Sequence, residues 1–131
     1  MPGKRFLLDT NALIALLKGN QSLLELTASA DWIGVSVISI LEFSSFSGMT
    51  PSDFDLLREF EAAVTVVDIT HADPALMQLI AQTRLRTKLK LPDAIILASA
   101  ALHEATLITN DLQLLKQSDT QQTISAQGFA S

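Results

Sequence analysis

The sequence predicts a single α/β domain of three layers, residues 1–131, with a central, mostly parallel sheet flanked by helices. Short apolar, β-branched runs alternate with longer stretches of helical periodicity, the pattern of strands joined by right-handed helical crossovers. Residues 92–102 are apolar or small at nearly every position, and a helix without a polar face packs centrally. Hydrophobic residues make up 48% of the chain, enough to cover a sheet on both faces.

Residues 6–8 form a short apolar run ending in Asp-Thr-Asn, a buried strand followed by a turn. Residues 11–17 and 22–30 repeat apolar positions at helical spacing, split by Lys18-Gly19-Asn20, a stop-and-restart signal. Residues 32–37 read as a second strand flowing into a helix that includes Ile40, Leu41 and Phe43. Gly48 and Pro51 punctuate the chain, and Thr50 or Ser52 is available to cap an amphipathic helix through Phe60. Residues 64–69, β-branched at almost every position, give the clearest strand signal. Pro74 opens a helix near Ala75 that runs to about Arg86, and Pro92-Asp93 opens the next. Residues 106–109 are a short strand, with Asn110-Asp111 turning out of it. The Gln/Ser/Thr-rich tail from Ser118 holds one weak edge strand near Thr123.

The chain has 131 residues and no internal repeat, which fits one domain. It lacks cysteine, so disulfides and thiolate metal sites are excluded and a reducing compartment suits it. The apolar opening resembles a signal peptide only until Asp9 and Asn11 interrupt it, and no run approaches a membrane span. A soluble, cytoplasmic protein is expected. The net charge of −5 argues against indiscriminate coating of nucleic acid. Yet four of the nine basic residues, Arg84, Arg86, Lys88 and Lys90, fall in one short stretch ahead of Asp93. They are candidates for a phosphate-binding rim, or for the solvated end of a helix whose dipole favours cations.

Four acidic residues stand where apolar segments end: Asp9, Glu42, Asp93 and Asp111. The carboxyl ends of strands in an α/β sheet open onto a shared crevice where ligands bind. Carboxylates gathered there repel one another unless a cation sits among them, and Mg²⁺ takes oxygen ligands while keeping several waters. Each acid also has a local explanation. Asp9 suits the N-cap of the following helix, Asp93 the first turn of its own, and Asp111 a turn. Glu42 interrupts an apolar helix, so it either reaches solvent past its neighbours or serves a site.

LLDTNALIALL, SVISILEF and LPDAIILASAALHEATLITND, in this order and spacing, resemble the PIN-domain ribonucleases, in particular the VapC toxins of toxin–antitoxin pairs. The resemblance runs from Phe6 to about Leu115, and the tail from Ser118 departs from the family's apolar or basic endings. It implies a central parallel sheet and Mg²⁺- or Mn²⁺-dependent cleavage of RNA. It also implies homodimers inhibited by a cognate antitoxin that binds DNA and represses the shared operon. The family's acidic positions fall on Asp9, Glu42, Asp93 and Asp111, with Asn11 and Thr109 as polar support near the metal.

Phosphodiester cleavage needs a nucleophile, charge neutralisation and a stabilised leaving oxygen, all within the scope of carboxylate-held metal ions. Asp9 and Asp93 are the expected principal ligands, and Glu42 a further ligand or an orienter of water. Asp111 is expected to act through water or on a second ion. No histidine base is required: His71 stands by a helix start, and His103 by a helix end, where the gain from the dipole makes a structural role the simpler account. Trp32 is expected in the core rather than as a base-stacking platform. Two enzyme rivals fail on single positions. A phosphoacceptor receiver domain wants paired acids where only Asp9 is present, and a haloacid-dehalogenase-type phosphatase wants Asp where Asn11 stands. A catalytically silent PIN-fold binding module is the remaining alternative, together with an RNA-processing nuclease that has no toxin role.

Overall fold

Alternation of side chains across the strands decides how the layers assemble. The computed structural model describes residues 4–117 and the backbone of Thr123 and Ile124. In β1 (Arg5–Leu8), Leu7 faces one side and Phe6 and Leu8 the other. In β4 (Thr106–Ile108), Leu107 and Ile108 divide the same way. Leu7 and Leu107 pack under α5 (Pro74–Thr87) and α6 (Leu91–Leu102). Phe6, Leu8 and Ile108 pack under α1 (Thr10–Leu17) and α2 (Gln21–Ala28). On that side a further cluster joins Leu13 and Val35 to Phe43 of α3 (Val37–Ser44) and Leu57 of α4 (Pro51–Ala63). The result is the expected three-layer α/β arrangement. In α6, residues 94 through 100 are all buried, as its continuous apolarity requires.

The sheet has five parallel strands in the order β3-β2-β1-β4-β5, with β2 at Trp32–Ser36, β3 at Thr65–Val67 and β5 at Thr123–Ile124. The chain grows outward from β1 through β2 to β3, then returns to place β4 on the other side of β1. The switch point therefore lies between the carboxyl ends of β1 and β4, where such sheets bind ligands. Register fixes what stands there. Leu8 pairs with Val35 on one side and with Ile108 on the other, so Asp9, Ser36 and Thr109 come next, abreast. All three are buried polar residues in one row.

The strand expected over residues 64–69 is shorter than its β-branched composition suggests. Val64 terminates α4 and only Thr65–Val67 enters the sheet. β3 pairs only with β2, Val67 opposite Ser36, and Val37 already begins α3, so no partner backbone remains beyond Val67. The same switch removes Val37 from the expected strand: the Ser36 hydroxyl accepts from the Ile38 amide and starts a helix. Thr50, rather than Ser52, caps α4, in a reciprocal capping box with Asp53. Asp111 opens a short helix, α7 (Leu112–Leu115), where only a turn was expected. The weak edge strand near Thr123 forms as β5; the rest of the tail lies outside the described residues. Among the described residues no helix is long and apolar enough to cross a membrane.

Candidate active site

Asp9 follows β1, and its buried carboxylate serves two roles at once. Oδ1 accepts from the Ala12 amide at 2.8 Å and caps α1, while Oδ2 accepts from the Thr109 hydroxyl. The local explanation and the site explanation therefore coexist, one on each oxygen. The Thr109 oxygen in turn accepts from the Asp111 amide at 2.9 Å. This hydroxyl bridges the ends of the two central strands and sets the loop that carries Asp111. Asp111 spends Oδ1 on the amides of Gln113 and Leu114, at 2.8 and 3.3 Å, capping α7.

Asp93 sits half-buried in the first turn of α6, two residues into a helix that starts Leu91-Pro92. Glu42 reaches the surface from α3, and its Oε1 accepts from the Thr10 hydroxyl at 2.5 Å. Thr10 Oγ1 also lies 3.0 Å from Ser39 Oγ, inside the same helix layer. A hydroxyl carries one proton, so Thr10 donates to Glu42 and receives from Ser39. Thr10 and Ser39 are site residues that the sequence reading missed. The available signals were a hydroxyl between Asp9 and Asn11, and serines inside an apolar helix.

Electrostatics bind the four acids into one group. Burial, first, and then the charges of Asp111 and Asp93 push the Asp9 carboxyl up to about 6, although Thr109 and the Ala12 amide oppose the shift. Asp93 is also raised above the ordinary carboxylate range, by burial and then by Asp111 and Glu42, with Lys90 opposing. Asp93 thus links the group: it feels Asp111 and Glu42, and Asp9 feels it. Asn11 stands exposed in the first turn of α1.

Among the described residues, no group of three or more His, Cys, Asp or Glu side chains is arranged to enclose a metal ion. Mg²⁺ does not need such an enclosure, since it binds through one or two carboxylates and retains water. The donors here are all oxygen, and burial, then its acidic neighbours, disfavours the charged form of Asp9. A divalent cation beside Asp9 and Asp93 would reverse that shift, so the residues fit the ion.

The basic stretch divides. Arg84 and Arg86 occupy the last turn of α5, Lys88 takes the left-handed position that ends it, and Arg84 Nε donates to the Leu89 carbonyl at 3.4 Å. Lys90 stands at the start of α6 and lowers the pKa of Asp93, which places one cation of the four beside the carboxylates. His71 is exposed in a turn. His103 ends α6, stacked on Trp32 with ring centroids 5.2 Å apart. Its pKa is lowered, first by burial and then by Arg5, with Asp73 opposing. At this helix end desolvation and a neighbouring guanidinium outweigh the dipole. Trp32 is half-buried against the core as expected, with Arg5 4.5 Å above its ring.

A sequence model of the PIN domain matches residues 6–119. A chain in a toxin–antitoxin complex from Klebsiella pneumoniae is 31% identical, with a TM-score of 0.67 over 80% of this chain and 85% of that one. A chain of VapBC2 from Rickettsia felis, bound to a DNA fragment from the promoter, is 21% identical; the match covers 92% of this chain and 97% of that one, with a TM-score of 0.74. VapBC-1 from nontypeable Haemophilus influenzae gives 18% identity and a TM-score of 0.71 over 96% of this chain and 98% of that one. No curated protein matches the chain. The fold, the acids at its switch point and the family match over nearly the whole length lead to one assignment: the chain belongs to the PIN domain family.

Proposed function

We propose that this chain is a divalent-metal-dependent endoribonuclease and the toxin of a toxin–antitoxin pair, working in the cytoplasm as a homodimer. The observation that carries the chemistry is the approach of Asp9, Asp93, Asp111 and Glu42 near the switch point, close enough that other acids add to burial in raising Asp9 and Asp93. Asp9 and Asp93 would hold Mg²⁺ or Mn²⁺, Glu42 would hold it or orient water, and Asp111 would act through water or on a second ion. When bound, the ion supplies a water of lowered pKa and neutralises charge on the phosphate. Thr109 keeps Asp9 fixed, Thr10 aims Glu42, and Lys90 offers a cation to the RNA backbone beside Asp93. Support for an antitoxin partner comes from the complexes in which similar chains were solved.

The deciding experiment uses purified protein with labelled single-stranded and hairpin RNAs, with Mg²⁺, with Mn²⁺ and with chelator. Cleavage that needs a divalent ion and disappears in Asp93→Asn is expected. Cleavage that survives chelation, or full activity in Asp93→Asn, overturns the reading. Absence of cleavage with the ion bound and the fold intact would favour the silent binding module.

A further inference from the structure

Ser39 uses its hydroxyl differently from other serines and threonines on these helices. Thr27, Ser44, Thr87 and Ser99 each donate to the carbonyl four residues back along the chain, a bond that ties the side chain to its own helix. Ser39 stands in the first turn of α3, where the residue four back, Val35, belongs to β2. Its oxygen pairs across to α1 instead, 3.0 Å from Thr10 Oγ1. Ser39 is wholly buried, whereas Glu42, one turn further along the same face of α3, reaches the surface. Thr10 spans that turn, receiving from the buried serine and giving its own proton to Glu42 Oε1 at 2.5 Å.

Holding a long exposed side chain in one pose costs rotamer entropy, so something must fix it. The Glu42 carboxylate makes no ion pair among the described residues, which leaves the Thr10 bond to set its direction. That hydroxyl is itself a rotor with a single proton to give. Were Ser39 not donating to it, the proton would be free to turn inward and release Glu42. We propose that Ser39 is a positioning residue of the site: by donating to Thr10 it commits the Thr10 proton to Glu42, so that the core sets the aim of a surface carboxylate. Bonds in such a chain also polarise one another, which strengthens the outer one. The inference rests on the metal reading above and adds the residue on which the aim of Glu42 depends. A role in packing alone would be served better by alanine, which favours the helix and buries no hydroxyl.

The test is a double-mutant cycle on Mn²⁺ affinity, read by titration calorimetry on the whole chain. Ser39→Ala should weaken binding by about two- to fivefold, the worth of one hydrogen bond that reaches the ion through another residue. In Thr10→Val, where no hydroxyl proton reaches Glu42, the same change should cost nothing further, because the two residues act as one unit. Ser39→Cys nearly keeps the volume but donates weakly, and should follow Ser39→Ala. Melting in chelator checks that each variant is folded. Unmodified affinity in Ser39→Ala overturns the inference, as do equal losses with and without Thr10. Full affinity in Ser39→Cys beside a loss in Ser39→Ala would make volume the cause and overturn it too. In each of those cases Mn²⁺ binding by the unmodified chain keeps the metal reading. No binding by the unmodified chain overturns both together.

Discussion

Asp9 shows how one side chain can cap a helix and remain chemically charged with potential. Its folded pKa of about 6 lies above the ordinary carboxyl value of 3.8. The sign follows from linkage: the neutral form is favoured in the folded state, so this stability is fully present below pH 3.8 and lost as pH rises through about 6. In chelator, melting of the wild type should therefore be lowered between those limits by something on the order of 2–3 kcal/mol. Asp9→Asn should flatten that profile, stay folded and lose activity; an unchanged pH profile would show that Asp9 does not carry the shift. Thr10 was not legible from sequence because a hydroxyl after Asp9 has many uses, and only folding brings α3 within reach of it. Thr10→Val should weaken Mn²⁺ binding several-fold in titration calorimetry, since the Glu42 carboxylate loses its only direct hydrogen bond among the described residues. Thr10→Ser should restore it. Equal affinity in the Val and Ser variants would reduce Thr10 to a packing residue.

The elements were legible wherever periodicity ran long. α6 announced itself by apolar or small residues at nearly every position, and α4 by its capping residues. What failed was decided by neighbours. Composition made residues 64–69 the strongest strand signal, yet the end of β2 at Ser36 left β3 only three residues to pair with. Nor could sequence show that the tryptophan opening β2 lies back across its own strand. A Cβ at Gly34 would meet the Trp32 ring at 2.1 Å. Gly34→Ala should then cost roughly 1–3 kcal/mol in chemical denaturation, the usual range for overpacking. Adding Trp32→Leu should recover most of that loss, because contacting residues are coupled. Additive losses would place the strain elsewhere. The basic stretch read either as one rim or as a solvated helix end, and the turn at Lys88 separates Arg84 from Lys90. Lys90→Ala should lower the log–log salt slope of single-stranded RNA binding by about 0.7, the value of one phosphate contact. Arg84→Ala should leave the slope nearly unchanged, whereas an equal drop would return both residues to a common rim.

At the scale of the whole molecule, topology brings four distant sequence positions close enough to feel one another's charge. Strand order 3-2-1-4-5 puts the ends of β1 and β4 side by side, and Thr109 closes the gap between Asp9 and Asp111. That juxtaposition was readable in advance because parallel crossovers bring every strand end to the same edge of the sheet. The same gathering of negative charge makes the site a target for any partner that can bring a cation. An antitoxin segment that places an Arg or Lys among these acids would neutralise them as a metal does, and binding of either would oppose the other. The toxin reading therefore predicts two linked results. Expression of the chain alone should arrest growth, and co-expression of the adjacent small reading frame should restore it. The purified complex should bind Mn²⁺ more weakly than the free chain, with the loss reversed when the partner's basic residue is replaced. Growth unimpaired by an active chain at high level would remove the toxin role and leave an RNA-processing nuclease. Rescue with metal affinity unchanged would mean that the partner blocks RNA entry without touching the carboxylates.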